Sequence, residues 1–308
     1  MSVPRAAWVL LALALALVAP QVLNVFWTGF LIQILVLGLF ALSIDLLAGH
    51  TGILPMGHAA FFAVAAYTTA ILEVRHGVAF LPAAGGGLLA GVVLGSVFGI
   101  AVRTSGVYFI LVTIAMGHVV WGVLMRWTEV TGGDNGITNV PPPEVGPFSL
   151  ATLGAYYYLV LVAVVLCALG YRRLMRSPFG LALRGIRESE SRMRGLGCRT
   201  AAHKYAAFVL SALLAAIAGV LYVHWNRFVS PNSASFVVSS EGVLMVILGG
   251  SGTIAGMFLG PAIILIIRNY VSGYVAQWMV LLGAIFIATV LWAPHGIMGI
   301  ARALRGKA

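Results

Sequence analysis

Residues 26–47 read FWTGFLIQILVLGLFALSIDLL, with Asp45 as the one charged side chain in the run. A helix rising about 1.5 Å per residue needs about 20 apolar residues to cross a hydrocarbon core roughly 30 Å thick. This run is long enough to do so. It gives way at once to AGHTGILPMGH, residues 48–58, where Gly49, Gly52 and Gly57 interrupt the helical pattern. An apolar span that ends in a glycine-rich break is therefore one element of the fold.

Working outward, similar apolar runs occupy 6–22, 59–72, 81–102, 107–125, 154–170, 204–225, 241–267 and 271–292. The 308 residues are 61% hydrophobic and 8% charged, against roughly 25% charged in a soluble globular chain. The composition places the chain among polytopic membrane proteins. No stretch of about 100 residues lacks a span, which leaves no room for a separate soluble catalytic core. A single transmembrane domain over 1–308 is the expectation, an all-α bundle of about 9–10 membrane passes. Arg5, the apolar run after it and Ala14-Leu15-Ala16 have the form of a signal peptide, but the many later spans favour a retained first helix.

Nine of the 18 Lys and Arg fall between Arg172 and Lys204. A basic loop between two spans marks the cytoplasmic side, and the net charge of +10 is thereby assigned to membrane topology rather than to nucleic acid. With the N-terminus inside, the linker 126–152 is outside after five crossings; it carries Arg126 against Glu129, Asp134 and Glu144. The tail, with Arg302, Arg305 and Lys307, also reads as cytoplasmic, which an odd number of crossings forbids. A discontinuous helix resolves the parity. The run 241–267, interrupted by Gly249, Gly250 and Gly252, is the natural candidate, since exposed backbone at membrane depth survives only inside protein or a watered cavity. Gly87, Gly91, Gly95 and Gly99, and likewise Gly252, Gly256 and Gly260, recur every fourth residue, a spacing for close helix contact.

Within the basic loop, Phe179, Leu181, Leu183 and Ile186 follow Pro178 and alternate with arginines. The pattern predicts a short amphipathic helix at the membrane face. The segment resembles the cytoplasmic coupling loop of bacterial branched-chain amino acid ABC permeases of the LivM type, where R-S-x-F-G-x-A-L-x-A-I-R-E precedes a glycine-rich turn. The resemblance would put Phe179, Gly180, Ala182, Ile186, Arg187 and Glu188, with Arg184 among them, at an ATPase interface. Gly185 stands where the family pattern has Ala, a loss of about 1 kcal/mol in helix propensity. Residues 57–67, beginning Gly57-His58 and ending at Tyr67, resemble the family's G-H-A-A-F-F-G-I-G-A-Y stretch. Thr131, Gly132, Gly133 and Gly136 match its extracytoplasmic T-G-G-x-x-G loop. Three motifs in family order are more specific than any one. His118 and Trp121 depart from it, at a site where such permeases often show Glu and Arg.

Ionisable groups inside a membrane are costly and mark function by default. Asp45, Gly57, His58, His118, Gly249, Gly250 and Gly252 are the candidates for a translocation pathway or gate. For Asp45 and His58, bonding to backbone freed by the break is the competing reading. Cys167 and Cys198 form no metal or disulfide pattern. The chain has no phosphate loop, no H-E-x-x-H pair and no G-x-S-x-G elbow, so no catalytic residue, metal or directly bound cofactor is expected. The resemblance implies that ATP is used by two cytoplasmic ATPase subunits. It also implies a second homologous permease, an extracytoplasmic substrate-binding protein and a place in a bacterial inner membrane. Two alternatives stay open: a permease of the same family for urea, amides or another amino acid class, and an ion-coupled secondary transporter.

Overall fold

The computed structural model describes residues 5–146 and 148–271 and, beyond them, 280, 283–285, 287, 289 and 296–299. Most of the expected span 271–292, and the tail with Arg302, Arg305 and Lys307, lie outside the described residues.

The chain opens with α1 (Arg5–Val22) and α2 (Val25–Ala48), the latter capped by the Asn24 side chain. After the first break come α3 (Ala59–His76), α4 (Phe80–Phe98) with a 3-10 extension to Arg103, and α5 (Val107–Arg126). The linker 126–152 is folded: a single turn, α6 (Thr128–Thr131), precedes β1 (Ile137–Thr138) and the small hairpin of β2 (Glu144–Val145) and β3 (Phe148–Ser149). Then follow α7 (Leu153–Arg176), α8 (Pro178–Glu188), α9 (Glu190–Gly195), α10 (Thr200–Asn226) and β4 (Phe228–Val229). The described part closes with α11 (Phe236–Gly249) and α12 (Gly256–Ile266), which runs into a π turn, Ile267–Val271.

Among the described residues five helices are long and apolar enough to cross a membrane: α2, α4 with its extension, α5, α7 and α10. Centrally placed α10 packs on α2, α3 and α4. Its buried residues include the small ones Ala207, Ala212, Ala215, Ala216, Ala218 and Gly219. Glycines of α4 meet these residues. A Cβ on Gly91 would come within 2.6 Å of the Ala216 Cβ, so the four-residue spacing sets how closely α4 can approach α10. Without a hydrophobic drive between helices in lipid, such close packing is what holds the bundle together.

The expected discontinuity is present as α11, a break over 250–255, and α12. Two details differ from expectation. The helix begins at Phe236, ahead of position 241, because the Ser235 hydroxyl caps it by accepting from the Val238 amide at 3.4 Å. Gly252 belongs to the break, at φ 76°, and not to a helical stripe with Gly256 and Gly260; only the latter two pack, against backbone of α11.

A coupling seat and a polar hub beneath two broken helices

The amphipathic pattern after Pro178 folds as α8, with Pro178 in the first turn where its missing N–H costs nothing. Its buried face is Gly180, Leu183 and Ile186. Gly180 lies so close to the end of α7 that a Cβ would sit 2.5 Å from the Met175 carbonyl oxygen. Arg184 donates to that same carbonyl at 3.3 Å, and the Phe179 ring stacks on His203 at 5.6 Å. Gly180 and Ile186, expected at an ATPase interface, are thus turned into the bundle, where they seat the helix. Leu181, one of the apolar residues of that pattern, is 60% exposed. The outward surface of α8 is Leu181, Arg184, Arg187 and Glu188; Ala182 is half-buried between the two faces.

Arg187 reaches from this seat to the first break, where it donates to the carbonyl oxygen of Gly49. Its stem lies over Gly52, 3.2 Å from where a Cβ would be. The Gly49 amide in turn donates to the Asp45 carbonyl at 2.8 Å, which makes Arg187 a cap on the C-terminal end of α2.

Asp45, completely buried, sits one turn back. Its carboxylate accepts from the Tyr171 hydroxyl of α7 at 2.6 Å and from the Gly252 amide of the second break at 2.7 Å. Because the Tyr171 hydrogen goes to Asp45, the Tyr171 oxygen is left to accept from His50 Nδ1 at 3.1 Å. The competing reading of Asp45, as a partner for backbone freed by a break, holds with one change: the freed amide comes from the second break, not the first. A buried carboxylate persists only when donors replace its lost water. Here they come from two separate segments, so Asp45 ties the second break to α7.

His58 is also fully buried. The Ser211 hydroxyl donates to the Ser43 carbonyl and therefore accepts from His58 Nε2 at 3.0 Å, which fixes the proton on Nε2 and leaves Nδ1 without a partner among the described residues. Neighbouring amides of the break are held by Thr113 of α5, 3.2 Å from the Met56 nitrogen, and by Ser239 of α11, 3.0 Å from the Ala59 nitrogen. Gly57 is pressed against the Thr113 carbonyl, and Gly249 against Gly256, leaving both without an open side. Of the candidate pathway residues, only Gly252 and, on α5, His118 are exposed. His118 lines an open groove of about 680 Å³ on α5 with Trp121, Arg126 and Trp127, and its ring is 6.4 Å from that of Phe236.

On the opposite end, Thr131 is buried and donates to the Leu124 carbonyl at 2.6 Å while accepting from the Gly133 amide. Gly132 and Gly136 adopt φ of 77° and 66°, and a side chain at either would strike backbone. These residues fold the outer loop so that β1 pairs with β4, Ile137 opposite Val229. Asp134 and Asn135 are left at its exposed tip.

Sequence reading missed Tyr171 and His50 as partners of Asp45. It also missed a second intramembrane carboxylate, Glu73, held 3.0 Å from His224 Nε2 with both side chains 1% exposed. Glu73 stands just past the end of the apolar run 59–72 and so read as a helix terminus.

An apolar multi-helix bundle with two glycine breaks and an amphipathic helix seated at one end is the form of a polytopic membrane protein. The chain matches the family described as branched-chain amino acid transport system / permease component over residues 26–290, and it belongs to that family. It is 32% identical to the high-affinity branched-chain amino acid transport system permease protein LivM of Salmonella typhimurium over 291 residues, 86% of this chain and 68% of that protein. It is 27% identical to a LivH permease of Methanocaldococcus jannaschii over 210 residues, 64% of this chain and 66% of that one. The autoinducer 2 import system permease protein LsrC of Escherichia coli is 26% identical over 179 residues, 56% and 51% of the two chains. No solved structure matches. The chain is thus a multi-pass permease subunit of an ABC importer, not an enzyme, and its family works with ATPase and permease partners.

Proposed function

We propose that this permease forms half of a translocation pathway for branched-chain amino acids in a bacterial-type inner membrane, driven by ATP hydrolysed on partner subunits. The observation that carries the reading is the bond from Arg187 in α8 to the Gly49 carbonyl. It joins the helix best placed to meet a cytoplasmic partner to the break that ends α2. When an ATPase pair closes, it pushes on Leu181, Arg184, Arg187 and Glu188, the outward surface of α8. The push passes through Arg187 to Gly49 and through Asp45 to Gly252, so that both broken helices move together and access alternates. Glu190, bonded to Lys204 at 2.5 Å and to Arg194 at 2.6 Å, stiffens the loop behind α8.

The assembly is a second homologous permease, two ATPases and an extracytoplasmic binding protein that delivers substrate near the Thr131–Gly136 loop. The exposed face of α5, with its His118 groove, faces the route between the permeases. Co-purification with the products of neighbouring genes, then leucine uptake into proteoliposomes with and without ATP, tests the reading. Uptake that needs no ATPase overturns it. A second reading, import of an amide or another polar solute, is favoured by His118 and Trp121 at positions where the family often has Glu and Arg; a ligand screen of the companion binding protein decides between the two.

A further inference from the structure

α7 presents two opposite faces. At 100° per residue, Tyr157, Val160, Val164, Tyr171 and Met175 share one side, and all are buried in the bundle or, at the lower end, beneath α8. Val162, Leu166, Leu169, Arg173 and Arg176 form a stripe on the other. Val162, Leu166 and Leu169 are 58%, 64% and 56% exposed, and no described residue covers them. The apolar stripe ends abruptly in charge: Leu169, Arg172, Arg173, Arg176 and Ser177 line an open cleft of about 510 Å³. Among the described residues none of these three arginines pairs with a carboxylate. The Ser177 hydroxyl is committed to the Leu174 carbonyl at 2.7 Å.

Charge and length together specify the occupant. Three guanidinium groups converging on one cleft match a phosphodiester, for which arginine is the fitting donor. From Val162 to Arg173 the helix rises about 16 Å, close to half of a hydrocarbon core roughly 30 Å thick. The stripe is therefore one leaflet deep, with apolar surface along the chain region and cations at the headgroup level. A cytoplasmic protein would find the cations but would leave the apolar stripe bare. α8, the surface suited to such a partner, is seated on the opposite side of α7. We infer that Arg172, Arg173 and Arg176 form a headgroup site for an anionic phospholipid whose acyl chain lies along Val162, Leu166 and Leu169. Basic pockets beside membrane helices select anionic lipids through this chemistry. The bound lipid holds the last turn of α7 at the membrane boundary, directly before α8. The site depends on the membrane fold alone, whatever the transported solute.

The purified full chain, delipidated in detergent, is titrated with dioleoyl-phosphatidylglycerol or dioleoyl-phosphatidylcholine, and bound lipid is counted by native mass spectrometry. The anionic lipid is retained roughly tenfold better than the zwitterionic one. The triple change Arg172→Gln, Arg173→Gln, Arg176→Gln abolishes that preference, while the lysine triple keeps most of it. Removing three other exposed arginines, Arg103→Gln, Arg192→Gln, Arg199→Gln, leaves it unchanged. Equal retention of the two lipids overturns the site, and so does an equal loss in the control triple, which marks diffuse charge. Displacement of the lipid by glycerol phosphate reassigns the cleft to a soluble phosphate and also overturns the proposal.

Discussion

Arg187, near the end of α8, donates its hydrogen bond to the carbonyl of Gly49, the residue that ends α2. The two are distant in sequence, and this bond is the direct polar link between the basic helix and the first break. A hydrogen bond from a charged donor contributes about 1.5–3 kcal/mol, and each 1.4 kcal/mol is about a factor of ten. Arg187→Ala or Arg187→Glu is expected to reduce ATP-coupled uptake roughly tenfold while leaving membrane insertion unchanged. Uptake and ATP hydrolysis measured on the same proteoliposomes check this. Unaltered uptake in both variants removes Arg187 from the coupling path.

Gly180 tests the seat rather than the link. Because a side chain there meets the Met175 backbone, which cannot yield as a flexible side chain does, Gly180→Val lifts α8 from α7 and misplaces its outward surface. The expected result is a chain that inserts and purifies normally, supports little ATP hydrolysis by its partner subunits and transports little. Ala182, half-buried between the faces, is expected to tolerate Ser with little loss.

The buried carboxylate separates shape from charge. Asp45→Asn keeps an oxygen for the Gly252 amide, and the Tyr171 hydroxyl can accept from the new amide group. Asp45→Ala strands both donors, at about 1–3 kcal/mol for each unsatisfied group. Melting temperatures of the purified variants should fall in the order wild type, Asn, Ala. Tyr171→Phe should resemble Asn, since one donor is lost while the Gly252 bond remains. If Ala melts like the wild type, the bonds drawn to Asp45 do not carry load.

Much of this fold was legible in the sequence because lipid imposes simple rules. Runs of apolar residues predicted the spans, and α2, α4 and α5 match them to within two residues, while α7 and α10 run further, into the basic segment. Parity of charge and glycine clustering located the break before α12. What could not be read was which groups meet across the bundle. Tyr171 lies in an apolar run and gives no local sign that it will hold Asp45 on another helix. Gly180 and Ile186 share a helix with the exposed arginines, and periodicity alone does not say whether the apolar face of α8 turns to the bundle or to a partner. The first glycine break, with Asp45, Gly57 and His58, reads as a candidate pathway or gate. The amides of Met56 and Ala59 are held by Thr113 and Ser239 on other helices, partners that no local pattern announces.

Glu190 gives a pH-dependent prediction outside the membrane spans. Partial burial disfavours its charge, but the bonds from Lys204, Arg194 and Thr200 outweigh that effect and bring its carboxyl from the ordinary 4.5 down to about 2. A carboxylate held lower in the folded chain stabilises fully above about pH 4.5 and loses that contribution as pH falls toward 2. Glu190→Gln should lower stability by about 1 kcal/mol at neutral pH, a modest value because water and salt reach the group. The gap in melting temperature between wild type and variant is expected to narrow through that acid window. A gap that stays constant from neutral pH down to the lower end rejects the ion-pair account.

Glu73 and His224 form a pair sealed between α3 and α10, with the Phe80 ring edge-on to the imidazole at 4.9 Å. Removing one partner leaves a polar or charged group with neither water nor a donor, which costs about 3–5 kcal/mol in buried pairs. Removing both leaves an apolar site that repacks at little loss, because the desolvation of the pair offsets much of its attraction. Glu73→Leu and His224→Leu singly should therefore destabilise the purified chain strongly, and the double variant should recover most of the difference in thermal unfolding. The cycle also bears on the ion-coupled alternative, which requires a membrane carboxylate to load and release a proton. If the double variant folds and still takes up substrate with ATP, Glu73 is structural and no proton needs to cross with the solute. If it folds but transports nothing, while ATP hydrolysis continues, the pair belongs to the route itself.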